Sequence, residues 1–100
     1  MPVKLPTLDA VIHAPNRLQI CAVLTPLEEA EFQMLRETVG ISDSVLSKHI
    51  KHLQDAGSVK VRKGAVNGRQ RTWARLTGRG RQAFNAHVAA LQEIASLART

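Results

Sequence analysis

The chain has 100 residues, 44% of them apolar and 3% aromatic, which predicts one small domain with a core of Leu, Ile, Val and Ala. It contains no run of about 20 apolar residues and only one cysteine, which excludes a membrane-spanning helix and an intrachain disulfide. Because the N-terminus also lacks the pattern of a signal peptide, we expect a cytoplasmic protein.

Positive charge is concentrated in one part of the chain. The formal net charge is +6, and residues 57–81 alone carry eight Lys or Arg with no Asp or Glu. These cations are Lys60, Arg62, Lys63, Arg69, Arg71, Arg75, Arg79 and Arg81. Cations that only keep a chain soluble would be mixed with acids, so this block favours a partner that carries phosphates.

Two helices are predicted over residues 7–25. Thr7 can cap a short first helix, and Pro15 suits the first turn of a second helix that Pro26 ends. Cys21 lies on the apolar side of the second helix. A buried, inert thiol is the favoured interpretation, because no cation or histidine lies close in sequence to lower its pKa; a redox sensor is the alternative.

A helix-turn-helix is predicted over residues 31–57. Residues 27–30 are expected to form a loop that leads into a helix over Glu31–Thr38, which Gly40 ends. The stretch Ile41–Gly57 predicts another helix after only a few linking residues. Two short helices joined by a tight turn with glycine are typical of this motif, whose second helix enters the major groove of DNA.

The second helix has an apolar side and a polar side. Leu46, Ile50 and Leu53 recur at helical spacing and are expected to face the core, while Ser42 or Asp43 caps the start. Hydroxyl and ammonium groups on the wetter side suit the donors and acceptors of base edges. An ordinary amphipathic helix with a solvated face is the alternative. The residues expected to face the major groove are Ser42, Ser44, Ser47, Lys48 and Lys51.

A basic hairpin, the wing, is predicted over residues 58–76. Val59 and Val61 alternate with cations as in a strand, and the Gly and Asn-Gly chemistry of residues 64–68 predicts a turn. A second strand over Arg71–Leu76 completes the hairpin. The residues expected to hold the wing to DNA phosphates are Lys63, Asn67, Arg69 and Arg71.

The single tryptophan has two interpretations. Trp73 could touch nucleic acid, or it could stack under Arg71 and Arg75 while it packs against the last helix or a partner subunit. Packing is favoured, because a lone tryptophan more often covers apolar surface than it reads bases.

A long C-terminal helix is predicted over residues 78–98, with Thr77 as its cap. Its apolar stripe is wider than one small domain needs to cover, and its alanines permit another helix to approach closely. We therefore expect this helix and the N-terminal helices to form a homodimer interface; a helix folded wholly onto its own domain is the alternative. The residues expected in the interface are Leu8, Val11, Ile12, Phe84, Val88, Leu91 and Ala95.

Three motifs, in this order, resemble the winged-helix transcriptional regulators of the MarR-like and ArsR-like kind, in a short branch of roughly this length. LDAVIHAPNRLQI (Leu8–Ile20) resembles the opening segment of that branch, and LSKHIKHLQDAG (Leu46–Gly57) its recognition helix. GRQRTWARLTGRGR (Gly68–Arg81) is similar to its wing and the entry to its last helix. Two positions depart from the pattern: Ser58 stands where a large apolar residue is usual, and Gly78 where proline is common.

The whole pattern predicts a single α+β domain, mainly α, over residues 1–100. It is a winged helix-turn-helix with a two-stranded basic wing and a long C-terminal dimerisation helix. The resemblance further implies a homodimer that binds a pseudo-palindromic operator on double-stranded DNA and regulates transcription, usually as a repressor.

Other functions find less support in the sequence. Cys21 stands alone, and His49 and His52 are the only closely spaced histidines, so neither a metal site nor a cofactor is expected. The chain lacks a glycine-rich phosphate loop and a Gly-x-Ser-x-Gly segment, which argues against an enzyme. A small cavity at the dimer interface would suit an apolar effector, although no polar residue stands out as its anchor. A winged helix that binds an acidic protein partner is the alternative function.

Overall fold

The structure, a computed structural model, describes residues 5–99. Along the chain these residues form α1 (Ala10–His13), α2 (Pro15–Leu24), β1 (Ala30–Glu31), α3 (Phe32–Val39), α4 (Asp43–Asp55), β2 (Val59–Val66), β3 (Arg69–Leu76) and α5 (Gly78–Leu97). The predicted fold class, a mainly helical winged helix-turn-helix, is confirmed. No helix within residues 5–99 is both long enough and apolar enough to cross a membrane.

Local chemistry determines where the N-terminal helices begin. The cap of α1 is Asp9 rather than Thr7, because the Asp9 carboxylate accepts the backbone N–H of Val11 at 2.9 Å. Pro15 is the first residue of α2, where its missing N–H costs no hydrogen bond. The connection between α1 and α2 is therefore a single residue, Ala14.

The sheet has three antiparallel strands in the order β1-β3-β2, one strand more than the predicted wing. Ala30 and Glu31, expected to end a loop and begin a helix, pair instead with Ala74 and Trp73 of β3. Ala30 is 5% exposed, so this short strand also closes the core. Two residues are too few to show an alternating pattern, which is why the strand escaped prediction.

The tip of the wing is a two-residue turn formed by Asn67 and Gly68. Their φ angles of 51° and 77° are those of a type I′ turn, which matches the twist of the flanking strands. The turn is shorter than the predicted one over residues 64–68, and Gly64 lies within the ladder opposite Arg71. The backbone of Asn67 thus shapes the wing tip, while its side chain stays exposed.

The core lies between the helices and one face of the sheet. Leu46, Ile50 and Leu53 of α4 are 0–2% exposed, which confirms that this side of the helix faces inward. Val59 of β2 and Leu76 of β3 are opposite each other in the ladder and cover the core from the sheet. Further buried side chains come from the other helices: Ile12, Ile20, Cys21, Leu24, Leu35 and Phe84.

The start of α5 is held against the end of α4 and the start of β2. The Thr77 hydroxyl donates to the carbonyl oxygen of Gly57 at 2.7 Å and accepts the backbone N–H of Gly80 at 2.9 Å. The Thr77 N–H donates to the carbonyl oxygen of Ser58 at 3.0 Å. Gly80 lies directly over that carbonyl group, so closely that a Cβ atom on Gly80 would overlap with the oxygen. The small, buried Ser58 thus sits where α5 approaches the sheet most closely.

Candidate nucleic-acid interface

The first turn of α4 is fixed by its cap. Ser42 has extended backbone geometry, and its Oγ accepts the backbone N–H of Val45 at 3.3 Å. The Oγ of Ser44 lies 3.3 Å from the Oγ of Ser42. Ser42 is exposed, as predicted, but its hydroxyl is engaged in holding the helix start.

An ion pair ties α3 to the start of α4. The Arg36 guanidinium lies 2.6 Å from the Asp43 carboxylate, and the Arg36 carbonyl oxygen accepts the N–H groups of Gly40 and Ile41. Gly40 has a φ of 78°, the left-handed conformation that ends α3. The ion pair spans the turn of the helix-turn-helix. It escaped sequence reasoning, because opposite charges seven residues apart lie on different helices here.

The outer surface of α4 carries the polar residues predicted to face DNA. Four of them are exposed and lie away from the buried side of the helix: Ser44, Ser47, Lys48 and Lys51. Val45, an apolar residue of the same helix, is also exposed, at 38%. A helical wheel separates Val45 from the stripe formed by Leu46, Ile50 and Leu53, so the signal was present in the spacing.

The four wing residues predicted to hold phosphates differ in their surroundings. Lys63, Asn67 and Arg69 are exposed, and among residues 5–99 none of the three side chains has a hydrogen-bond or ion-pair partner. Arg71 is half-buried instead. Its Nη1 lies 2.6 Å from the Glu31 carboxylate and 3.2 Å from the Gln33 amide oxygen. A contact between Arg71 and a phosphate therefore competes with an existing ion pair.

The outer face of the sheet holds a stack of Arg62 on Trp73. These two residues are opposite each other in the ladder, and the Arg62 guanidinium carbon lies 4.0 Å from the ring centroid. Arg62 also donates to both carboxylate oxygens of Glu29, at 2.6 and 3.2 Å, which lowers the pKa of Glu29. Among residues 5–99, the cation that stacks on this ring is Arg62, and not Arg71 or Arg75 as predicted.

Only part of the basic block is available to a partner. Arg62 and Arg71 form ion pairs, and Arg81 donates to the carbonyl oxygens of Thr25 and Leu27 at 2.6 and 3.1 Å. The remaining cations of the block have no hydrogen-bond or ion-pair partner within residues 5–99: Lys60, Lys63, Arg69, Arg75 and Arg79. The wing surface is still basic after the intrachain pairs are taken into account.

An open cleft of about 550 Å³ separates α4 from the wing. Ser47 and Gln54 line it from α4, and Lys63 and Gln70 line it from β2 and β3. The two ion pairs of Arg36 and Arg71 lie along the same cleft. The cleft thus joins the exposed surface of the recognition helix to that of the wing.

Two residues predicted to lie in a dimer interface belong to the core of a single chain. Ile12 is fully buried and Phe84 is 9% exposed, so neither offers a side chain to a second subunit without a rearrangement. Sequence periodicity identified them as apolar but could not show that α1 and α5 pack on each other within one chain. The other predicted residues keep some exposure: Leu8, Val11, Val88 and Leu91 are half-buried and Ala95 is exposed.

A pair of histidines joins α1 to α5. His87 is 1% exposed, and its Nδ1 accepts the backbone N–H of Asp9 at 3.1 Å. The proton of the neutral His87 ring is therefore on Nε2, which lies 3.2 Å from Nδ1 of His13. Burial, and next the nearby His13, lower the pKa of His87, while Asp9 acts in the opposite direction.

Cys21 is fully buried, which confirms the predicted buried thiol. Burial, together with the negative charge of Asp9, raises the pKa of Cys21 from 9.0 to about 11. Within residues 5–99, no group of three or more His, Cys, Asp and Glu side chains is arranged to hold a metal ion.

Comparisons with known proteins agree with this architecture. A family model described as a winged helix DNA-binding domain matches residues 16–95. An uncharacterised protein of Methanocaldococcus jannaschii is 33% identical over 78 residues, which are 78% of this chain and 85% of that protein.

Solved structures show the same fold. A transcriptional regulator homologue from Pyrococcus horikoshii matches with a TM-score of 0.80 at 26% identity, covering 86% of this chain and 85% of that chain. The zinc-responsive MarR family member ZitR of Lactococcus lactis matches with a TM-score of 0.63 at 21% identity, covering 99% of this chain and 62% of its own. The chain therefore belongs to the winged helix DNA-binding domain family and has the fold of the MarR-type transcriptional regulators, which are DNA-binding proteins rather than enzymes.

Proposed function

We propose that this chain is a homodimeric repressor that binds a pseudo-palindromic site on double-stranded DNA in the cytoplasm. The observation that supports DNA binding most directly is the charge of the wing: several of its cations have no hydrogen-bond or ion-pair partner among residues 5–99, and one of them, Lys63, lines the same cleft as Ser47 of α4. In this proposal residues 31–57 are the helix-turn-helix and residues 58–76 the wing. Residues 78–98, together with residues 7–25, join the two subunits.

The recognition helix reads base edges through side chains that point away from the core. Ser44, Ser47, Lys48 and Lys51 are exposed on α4 and present hydroxyl and ammonium groups to the major groove. Ser42 contributes mainly by capping α4, because its Oγ already accepts a backbone N–H. Its role is therefore to position the other side chains.

The wing holds the phosphate backbone. Lys63, Asn67 and Arg69 are exposed near its tip, and the two cations reach a phosphate without breaking a hydrogen bond or an ion pair among residues 5–99. Arg71 must exchange the Glu31 carboxylate for a phosphate. Arg71 therefore contributes less to affinity than Arg69 does.

The proposed dimer is inferred from apolar surface that a single chain leaves partly exposed. Leu8, Val11, Val88 and Leu91 retain exposed area near the chain's two ends, and Ala95 allows a close approach of helices. Two recognition helices related by a twofold axis would read a palindrome with half-sites one helical turn apart, about 10 base pairs. Selection of bound duplexes from a random pool tests this symmetry, since a single non-repeated half-site would contradict the dimer.

The test of DNA binding is the dependence of affinity on salt. The logarithm of the binding constant should fall linearly with the logarithm of the salt concentration, with a slope of about 0.9 for each phosphate neutralised. Arg69→Ala should reduce that slope by about 0.9, because it removes one free cation. Arg62→Ala is the matched control: its guanidinium is already paired with Glu29, so the slope should stay close to that of the wild type.

Fluorescence anisotropy with a selected duplex and a random duplex measures both effects. Lys48→Ala should weaken binding to the selected duplex more than binding to the random one if Lys48 reads bases; an equal loss would assign it to a phosphate. A salt response that is flat for the wild type would refute the proposed DNA binding and favour a winged helix that binds an acidic protein.

A further inference from the structure

One apolar side chain lies on the exposed surface of α4. Val45 keeps 38% of its surface exposed, whereas the adjacent Leu46 is fully buried. All other exposed residues of α4 are Asp, Ser, Lys, His or Gln. Val45 is therefore the position at which this helix offers methyl groups, and not hydrogen-bonding groups, to whatever covers it.

The local structure holds Val45 in one orientation. Its backbone N–H donates to the Oγ of Ser42, so the residue belongs to the capped first turn. Valine is branched at Cβ and strongly prefers one χ1 rotamer in a helix. Its methyl groups therefore point in a fixed direction, and they lose little conformational entropy when they contact a partner.

We infer that Val45 reads the C5-methyl group of a thymine in the major groove, an inference that rests on the proposed binding of DNA by α4. Val45 precedes Lys48 by about one helical turn, so the two side chains are neighbours on the surface of α4 and enter the groove together. Thymine is the base that presents a methyl group there, and apolar side chains contact it.

The same contact disfavours the other pyrimidine. A cytosine at this position would turn its N4 amino group toward the valine methyls, where it would lose water and gain no hydrogen bond. Val45 is thereby a specificity-determining residue that favours T·A over C·G at one base pair of each half-site. The nearby serine hydroxyls cannot distinguish thymine from cytosine in this way, because a hydroxyl can both donate and accept a hydrogen bond.

The experiment removes the methyl group from DNA and the valine from the protein. The probe is the duplex that the wild-type protein enriches from a random pool, with each dT replaced in turn by dU, which lacks only the methyl. At one thymine per half-site, dU should weaken wild-type binding about fourfold, which corresponds to about 0.8 kcal/mol for one buried methyl-sized group. With Val45→Ala, whose single methyl group does not extend as far toward the base, the same replacement should weaken binding clearly less than fourfold.

Val66→Ala is the matched control. Val66 is also an exposed valine, at 43%, but it lies in the wing beside the turn and outside the recognition helix. This variant should keep the wild-type response to dU. Val45→Ala should stay folded, because alanine is the best helix former and the side chain is outside the core; circular dichroism checks this.

Three results would overturn the inference. If the wild type responds to dU at no position, or if Val45→Ala keeps the wild-type response at every position, Val45 does not read a methyl group, while the enriched duplex still supports DNA binding. If no duplex is enriched and binding does not depend on salt, the proposed function itself fails and the inference fails with it.

Discussion

Replacement of Gly80 by alanine tests the packing of α5 against the sheet. A Cβ atom on Gly80 would overlap with the carbonyl oxygen of Ser58 and lie 2.9 Å from its carbonyl carbon. Both neighbours are backbone atoms, so no side chain can rotate away to make room. The start of α5 must therefore move away from β2, and the hydrogen bond from the Thr77 N–H to the Ser58 oxygen must lengthen.

The expected loss of stability follows from three contributions. Overpacking of this kind costs about 1–3 kcal/mol, and backbone neighbours place Gly80→Ala near the upper end. Weakening the Thr77–Ser58 hydrogen bond adds about 1 kcal/mol. The higher helix propensity of alanine offsets about 1 kcal/mol of this loss in the free energy of unfolding. The free energy of unfolding should therefore fall by about 3 kcal/mol, a large part of the 5–15 kcal/mol typical of such domains.

Gly78→Ala is the control within the same helix. Apart from its chain neighbours and the backbone of its own helix, no atom of the described residues lies within 4 Å of a Cβ built on Gly78, so this variant should match the wild type or gain up to about 1 kcal/mol. Urea unfolding monitored by circular dichroism, at equal protein concentrations, gives the midpoint and slope for each protein. Equal stability of the Gly80→Ala and Gly78→Ala variants would refute the close approach of α5 to Ser58.

Two further predictions concern buried titratable groups. The pKa of His87 lies below its usual 6.5 in the folded state, so the unfolded chain binds more protons than the folded chain in acid. The contribution of His87 to the free energy of unfolding should therefore be fully present above pH 6.5 and decline below it. His87→Gln should reduce this decline, by at most about 1.4 kcal/mol per pH unit. Identical pH profiles for the wild type and His87→Gln would contradict the assignment of the decline to His87. The raised pKa of about 11 lowers the thiolate fraction of Cys21 at pH 8 about a hundredfold, so a disulfide reagent should react far more slowly with the native protein than with the urea-unfolded chain. Similar rates in the two states would show that Cys21 is accessible.

Local patterns along the chain predicted most of the secondary structure. The helical spacing of Leu46, Ile50 and Leu53 identified the buried side of α4, and the Thr77 hydroxyl marked the start of α5. These features depend on residues within a turn or two of one another, so the sequence carries them directly. The concentration of cations in residues 57–81 likewise predicted where the basic surface lies.

The predicted surface was incomplete because charge in a sequence does not show which groups are paired. Arg71 and Glu31 are 40 residues apart and meet because β1 joins the sheet beside β3. Arg62 and Glu29 are 33 residues apart and meet on the outer face of that sheet. Without the short β1, neither pairing could be anticipated, so both arginines counted fully toward the basic block and Arg71 was expected to contact phosphate as Arg69 was.

The sequence by itself determined the order of the helices and of the two wing strands, the buried side of the recognition helix and the basic character of the wing, because each follows from local periodicity, capping and composition. Only the tertiary structure decided which cations remain for a partner and that Ile12 and Phe84 fill the core of one chain. Those properties depend on contacts between segments far apart in the chain, and periodicity within one segment carries no information about which partner covers it.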